Sequence, residues 1–121
     1  MWKMSDLKLS DIITMQNELQ ERYKGKWAPL TPENGRTSLL WMIEEIGEVI
    51  SIIKKRGEED IMDNEKVRMA FIEELSDVIM YYSAVLISYG ISSEDLSEIF
   101  IKKHLKNMSR NFEEEYKKMF T

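Results

Sequence analysis

With 121 residues, no cysteine and a single histidine (His104), the chain is sized for one domain. It lacks the ligands for a zinc ribbon or an iron–sulfur centre, and it has no thiol nucleophile. At 43% hydrophobic and 32% charged residues it should fold, and its net charge of -5, from 22 acids and 17 bases, argues against a nucleic-acid duplex as partner. No apolar run has the length of a membrane span and the first residues do not form a signal peptide, so a soluble, cytoplasmic protein is expected.

The periodicity is helical along nearly the whole chain. A first helix is predicted over residues 5–23, with Leu9, Ile12, Ile13, Met15 and Leu19 inward, Ser5 as N-cap and Asp6 in the first turn. Residues 25–32 hold both prolines and read as a loop. The second helix begins either at Thr31-Pro32-Glu33, with Pro in the first turn, or by Thr37, and runs to Arg56. Leu39, Met42, Ile43, Ile46, Val49, Ile50 and Ile53 give it a wide apolar stripe. Lys54, Lys55 and Arg56 complement its dipole and Gly57 closes it, which leaves 58–64 as a polar linker. A third helix is predicted over 65–89, stopping at Gly90. Ser92 or Ser93 caps a fourth through Leu96, Ile99, Phe100, His104 and Met108, and 112–120 either continues that helix or frays. No strand alternation is present. The prediction is an all-α, four- to five-helix antiparallel bundle, with residues 1–121 forming one domain and 111–121 a C-terminal extension.

Six of the acids fall in two clusters, Glu44-Glu45-x-x-Glu48 in helix two and Glu73-Glu74-x-x-Asp77 in helix three. Positions three or four apart share a helix face, since each residue turns about 100°. Glu45 and Glu48 are therefore neighbours, Glu44 flanks Glu48, and Glu74 pairs with Asp77. Like charges at this spacing repel, and no Lys or Arg stands three or four residues from Glu45, Glu48 or Asp77. Both clusters lie in strongly apolar surroundings, where unpaired acids are unfavourable to desolvate. Four carboxylates without imidazole or thiolate suit a hard cation, Mg²⁺ or Mn²⁺. A di-iron carboxylate bundle would need two Glu-x-x-His motifs, which are absent.

At these residues the sequence resembles the MazG-like, all-α nucleoside triphosphate pyrophosphohydrolases. That superfamily includes the dimeric dUTPases, the dCTP pyrophosphatases and phosphoribosyl-ATP pyrophosphohydrolase. Its Glu-Glu-x-x-Glu and Glu-x-x-Asp motifs read here as Glu44-Glu45-Ile46-Gly47-Glu48 and Glu74-Leu75-Ser76-Asp77. Tyr81 follows four residues after Asp77. Lys103, Asn107 and Arg110 reproduce the family's Lys-x-x-x-Asn-x-x-Arg, and Trp27 with Thr31-Pro32-Glu33 is similar to the loop before the motif helix. The resemblance spans residues 5–110 and gives the 111–121 tail no counterpart.

The resemblance implies a Mg²⁺-dependent cleavage of an NTP or dNTP to monophosphate and pyrophosphate, in the clearing of non-standard nucleotides. It implies that Glu45, Glu48, Glu74 and Asp77 hold the metal, with Glu44 behind them or shared. Either Glu44 or Glu48 orients or deprotonates the attacking water. Lys103 and Arg110, with Asn107, meet the phosphates, and Tyr81, Trp27 or Trp41 stacks the base.

Helix three is apolar on several faces after Asp77, more than four helices can cover, so a homodimer or homotetramer is expected. A competing expectation is a non-catalytic helical oligomerisation or adaptor module with a cation-binding acidic face. Its melting temperature would be indifferent to Mg²⁺, whereas a metal-loaded site would raise it.

Overall fold

The computed structural model describes residues 5–120, and among them every regular element is an α-helix: α1 (Leu9–Arg22), α2 (Pro32–Asp63), α3 (Glu65–Ser88), α4 (Ser93–Ser109) and α5 (Phe112–Phe120). None of these helices is long and apolar enough to cross a membrane. The start of the chain, where a signal peptide was discounted, lies outside the described residues up to position 4.

Capping chemistry corrects several predicted boundaries. Helix α1 begins at Leu9 instead of beside Ser5, because the Asp11 carboxylate accepts the Lys8 backbone N–H at 2.9 Å and fixes the first turn there. Helix α2 takes the earlier of its two predicted starts, with Thr31 at the N-cap and Pro32 at the first helical position. The predicted linker at 58–64 is mostly helix. Gly57 takes φ 80°, ψ 166°, a turn that L side chains resist, and the helix resumes at once to Asp63. Arg56 bonds Asp60 across the break at 3.0 Å, and Ile61 beyond it is buried.

Asn64 alone separates α2 from α3, its side chain accepting the N–H groups of Lys66 and Val67. Helix α3 ends as predicted before Gly90, where Ile91 N–H bonds the Leu86 carbonyl and Gly90 N–H that of Ile87, a Schellman pair. Ser92, not Ser93, caps α4, in a reciprocal capping box with Asp95. The segment after it neither continues α4 nor frays. Arg110 is extended, and Asn111 accepts the Glu114 N–H to start α5 as a separate helix.

The chain forms two compact units, one through Ile91 and the other from Ser92 onward. In the first, α2 and α3 pack as an antiparallel hairpin and α1 packs on α3. The start of α2 meets the end of α3 so closely that a methyl group on Gly35 would stand 2.5 Å from the Tyr89 ring. Among the described residues only five apolar side chains are buried, Val49, Ile61, Val67, Ala84 and Leu86. All belong to this hairpin. Large apolar side chains line its outside instead. Leu39, Ile43, Ile46 and Ile50 on α2, and Ile72, Leu75, Ile79 and Tyr82 on α3, are all exposed. The second unit comprises α4 and α5, neither of which holds a buried residue.

A candidate metal centre beside an aromatic cavity

The face that α2 turns to α3 carries Ser38, Met42, Glu45 and Val49 at helical spacing, all more covered than their neighbours. Glu74, Asp77 and Tyr81 answer from α3. The hairpin thereby brings one carboxylate oxygen from each of Glu45, Glu74 and Asp77 within 4.8 Å of one another, all three half-buried. Glu48 stands outside this trio, one turn beyond Glu45 and exposed, and Glu44 is exposed as well. Among the described residues the ion pairs Arg56–Asp60, Lys102–Glu98 and Arg110–Glu115 leave Glu45, Glu74 and Asp77 out. Three oxygen ligands without nitrogen or sulfur fit a hard divalent ion.

The repulsion shows in the protonation of Glu45. Burial holds its carboxyl above the usual carboxylate range, and contact with Glu74 and the charges of Asp77, Glu74 and Glu48 raise it further. A raised acid binds its proton more readily in the folded chain than in the unfolded one. This group's contribution to stability therefore falls as pH rises through that window. The expected result is that the metal-free protein gains stability from Glu45 on acidification from neutral pH towards the ordinary glutamate range. Thermal melts of Glu45→Gln across the same range should lose that part of the slope, and Mg²⁺ at neutral pH should replace it by supplying counter-charge. A wild-type melt that ignores both pH and Mg²⁺ would contradict the electrostatic picture.

One helical turn from the acids lies a cavity of about 400 Å³, with Trp27, Trp41 and Tyr81 all in its walls. Trp41 precedes Glu45 by four residues and Tyr81 follows Asp77 by four. Their rings meet edge to face, with centroids 5.9 Å apart. Burial, and then the charges of Glu45, Asp77 and Glu44, push the Tyr81 phenol above its usual range, so it stays a neutral donor beside the cluster. Trp27 comes from the loop, where it stacks on Tyr23 at 4.5 Å. The loop is held against the helices by Gln20, whose amide donates to the Ala28 carbonyl at 3.1 Å, and by Asn34, which donates to that of Pro29 at 2.8 Å. The sequence reading missed Tyr23, Gln20 and Asn34. The density of amides around the prolines was the available signal.

Lys103, Asn107 and Arg110 lie in the second unit, with Lys103 and Asn107 on α4 and Arg110 just past its end. Arg110 is engaged within that unit. Its Nε and Nη2 donate to the Glu115 carboxylate at 3.0 and 2.6 Å, Nη1 to Asn107 Oδ1 at 3.4 Å, and its guanidinium lies 4.4 Å from the Phe112 ring centroid.

Comparison with known families agrees with this geometry. The family model of the MazG nucleotide pyrophosphohydrolase domain matches residues 33–112. The chain belongs to the MazG family. The match starts in the first turn of α2, takes in both acidic motifs, and ends as α5 begins. Neither the curated proteins nor the solved structures that were searched gave a match. A MazG domain is helical and its family comprises nucleotide pyrophosphohydrolases, which agrees with an all-α chain carrying an acidic cluster able to bind metal.

Proposed function

We propose that the protein is a Mg²⁺-dependent pyrophosphohydrolase that splits the α–β anhydride of an NTP or dNTP, releasing monophosphate and pyrophosphate. The observation that carries this reading is the convergence of Glu45, Glu74 and Asp77 one turn from an aromatic cavity. Those three carboxylates, with Glu48 completing the set, are the ligands for the metal. Mg²⁺, or Mn²⁺ in its place, supplies neutralising charge at the phosphate oxygens and lowers the pKa of a bound water. Glu48 or Glu44, both exposed, has a free carboxylate to orient that water or take its proton. Trp27, Trp41 and Tyr81 enclose the base, and Lys103, Asn107 and Arg110 meet the phosphates. On this reading the protein works in the cytoplasm, removing non-standard nucleotides.

The test is product analysis on a panel of NTPs and dNTPs with Mg²⁺ and with EDTA. Metal-dependent monophosphate plus pyrophosphate is expected. Diphosphate plus orthophosphate would show that the phosphates bind in another register.

Arg110 offers a second check. A bridge this open to solvent is weak, so a triphosphate can displace Glu115 from the guanidinium. Glu115→Gln should then lower KM by about threefold to fivefold at unchanged kcat, and Arg110→Ala should raise it. An unaltered KM in both variants would remove Arg110 from the substrate site.

Assembly is part of the proposal. Leu39, Ile43, Ile46 and Ile50 are spaced four, three and four residues apart, and Ile72, Leu75, Ile79 and Tyr82 three, four and three. These are seams of the kind that pack helix against helix. The α2 seam lies about 100° further round its helix than the α2–α3 contact face; the α3 seam runs from about 100° to about 180° round, where Ile72, Leu75 and Ile79 also border a groove with Ile12, Met15 and Leu19 of α1. In an antiparallel hairpin that sense of rotation brings both seams to one side. A second copy of the hairpin, related by a twofold axis, covers them in a homodimer.

A further inference from the structure

Two polar side chains in the aromatic cavity have no role in the reading above. Gln16 on α1 and Ser38 on α2 are 6% and 5% exposed, and both line the cavity. Neither side chain makes a hydrogen bond among the described residues. Among the described residues no side-chain nitrogen or oxygen is sealed in the protein without a partner, so these unpaired atoms keep some access: Ser38 at the aromatic cavity, and Gln16 between that cavity and the adjoining apolar groove of α1 and α3, which it also lines.

Other helical hydroxyls and amides differ. The hydroxyls of Thr14, Ser83, Ser88 and Ser109 each donate to a backbone carbonyl three or four residues back at 2.6–2.9 Å. Gln20 and Asn34 donate to the loop that walls the cavity. Gln16 also interrupts the apolar stripe of α1 between Ile12 and Leu19, where packing alone favours an apolar residue. Burying an amide there without a partner is unfavourable unless a ligand supplies one.

We infer that Gln16 and Ser38 read the hydrogen-bonding edge of a nucleobase held between the aromatic walls. The inference rests on the proposed pyrophosphohydrolase reading, which brings a nucleotide to this cavity. A primary amide sets an N–H donor beside a carbonyl acceptor, the complement of a base edge that places an acceptor beside a donor. The serine hydroxyl gives or takes a third bond. Among the described residues Lys26 is the one charged group in the lining, so the cavity suits the flat, neutral end of a nucleotide, while the acidic cluster outside it, once loaded with metal, suits the phosphates.

The experiment measures binding without turnover. Adenosine, guanosine, cytidine, uridine and thymidine monophosphates are titrated into wild type, Gln16→Leu and Gln16→Glu, following tryptophan fluorescence, with melts to establish folding. Gln16→Leu is expected to weaken binding by about 10- to 100-fold and to flatten the ranking of bases. Gln16→Glu, which only accepts, should shift the ranking towards guanine, whose edge sets two N–H donors side by side, and away from uracil and thymine. Should Gln16→Leu fail to fold, Gln16→Glu and Ser38→Ala carry the same comparison. An unchanged ranking and affinity in the variants overturns the inference, as does a wild type that binds none of the monophosphates. Separately, triphosphates that bind with this ranking but release no pyrophosphate would overturn the hydrolase reading and leave the base site standing.

Discussion

Asp77→Asn should abolish turnover while leaving the metal-free protein at least as stable as wild type. Asp77 stands in a trio of mutually repelling acids, and its charge helps to hold the Glu45 carboxyl above the usual range. Replacing it with a neutral isostere relieves that repulsion, so the metal-free melting temperature should hold or rise. On the proposed reading the same change removes a ligand from a cation that would contribute several kcal/mol to stabilising the charge of the transition state. At about 1.4 kcal/mol per factor of ten, the loss is on the order of 10³-fold in kcat/KM. The rise in melting temperature on adding Mg²⁺ should vanish with it. Glu48→Gln separates two roles for a residue outside the trio. If Glu48 handles the water, kcat collapses while the Mg²⁺-dependent stabilisation persists; if it is a ligand, both are lost. Full activity in both variants would overturn the assignment of the cluster to catalysis.

Stability and activity moving in opposite directions is what a site built of like charges should show, and spacing made those charges legible. Three- and four-residue intervals put Glu45, Glu74 and Asp77 on facing helix surfaces whatever the loops do. The same logic gave Trp41 and Tyr81 their places one turn away. Helix ends were readable where one residue decides them, as at Gly90, and misread where two outcomes share a signal. Gly57 before Glu58-Glu59-Asp60 reads as a stop followed by a linker, yet a single residue at positive φ kinks the chain and lets helix resume. Only buried Ile61 in that polar run hinted at it. The engagement of Arg110 could not be anticipated, because Glu115 lies five residues on, across a helix break, outside any regular spacing. Gln16 and Ser38 were invisible for a different reason. A missing hydrogen bond is a property of the folded surroundings, not of residue type.

Ile46→Glu or Leu75→Glu should convert the protein to a monomer in sedimentation at micromolar concentration. The hairpin buries only five apolar side chains and leaves eight large ones in two seams on its outside, an arrangement suited to a partner with the same pattern. Each apolar side chain removed from water in such an interface contributes about 1.5–3 kcal/mol. A carboxylate placed at the seam forfeits that and adds about 3–5 kcal/mol for an unpaired buried charge. Twofold symmetry applies the change twice, once from each copy, so a single substitution should weaken the dimer by at least 10⁴-fold. Glu48 and Ile46 differ by two positions on one helix, so the seam and the acids share a rigid element and loss of the dimer should also reduce turnover. Leu105→Glu on α4, outside both seams and more exposed than either substituted position, is the control and should leave a dimer through these seams intact. A wild type that sediments as a monomer, or seam variants that remain dimeric, would mean that something other than a second hairpin covers this face.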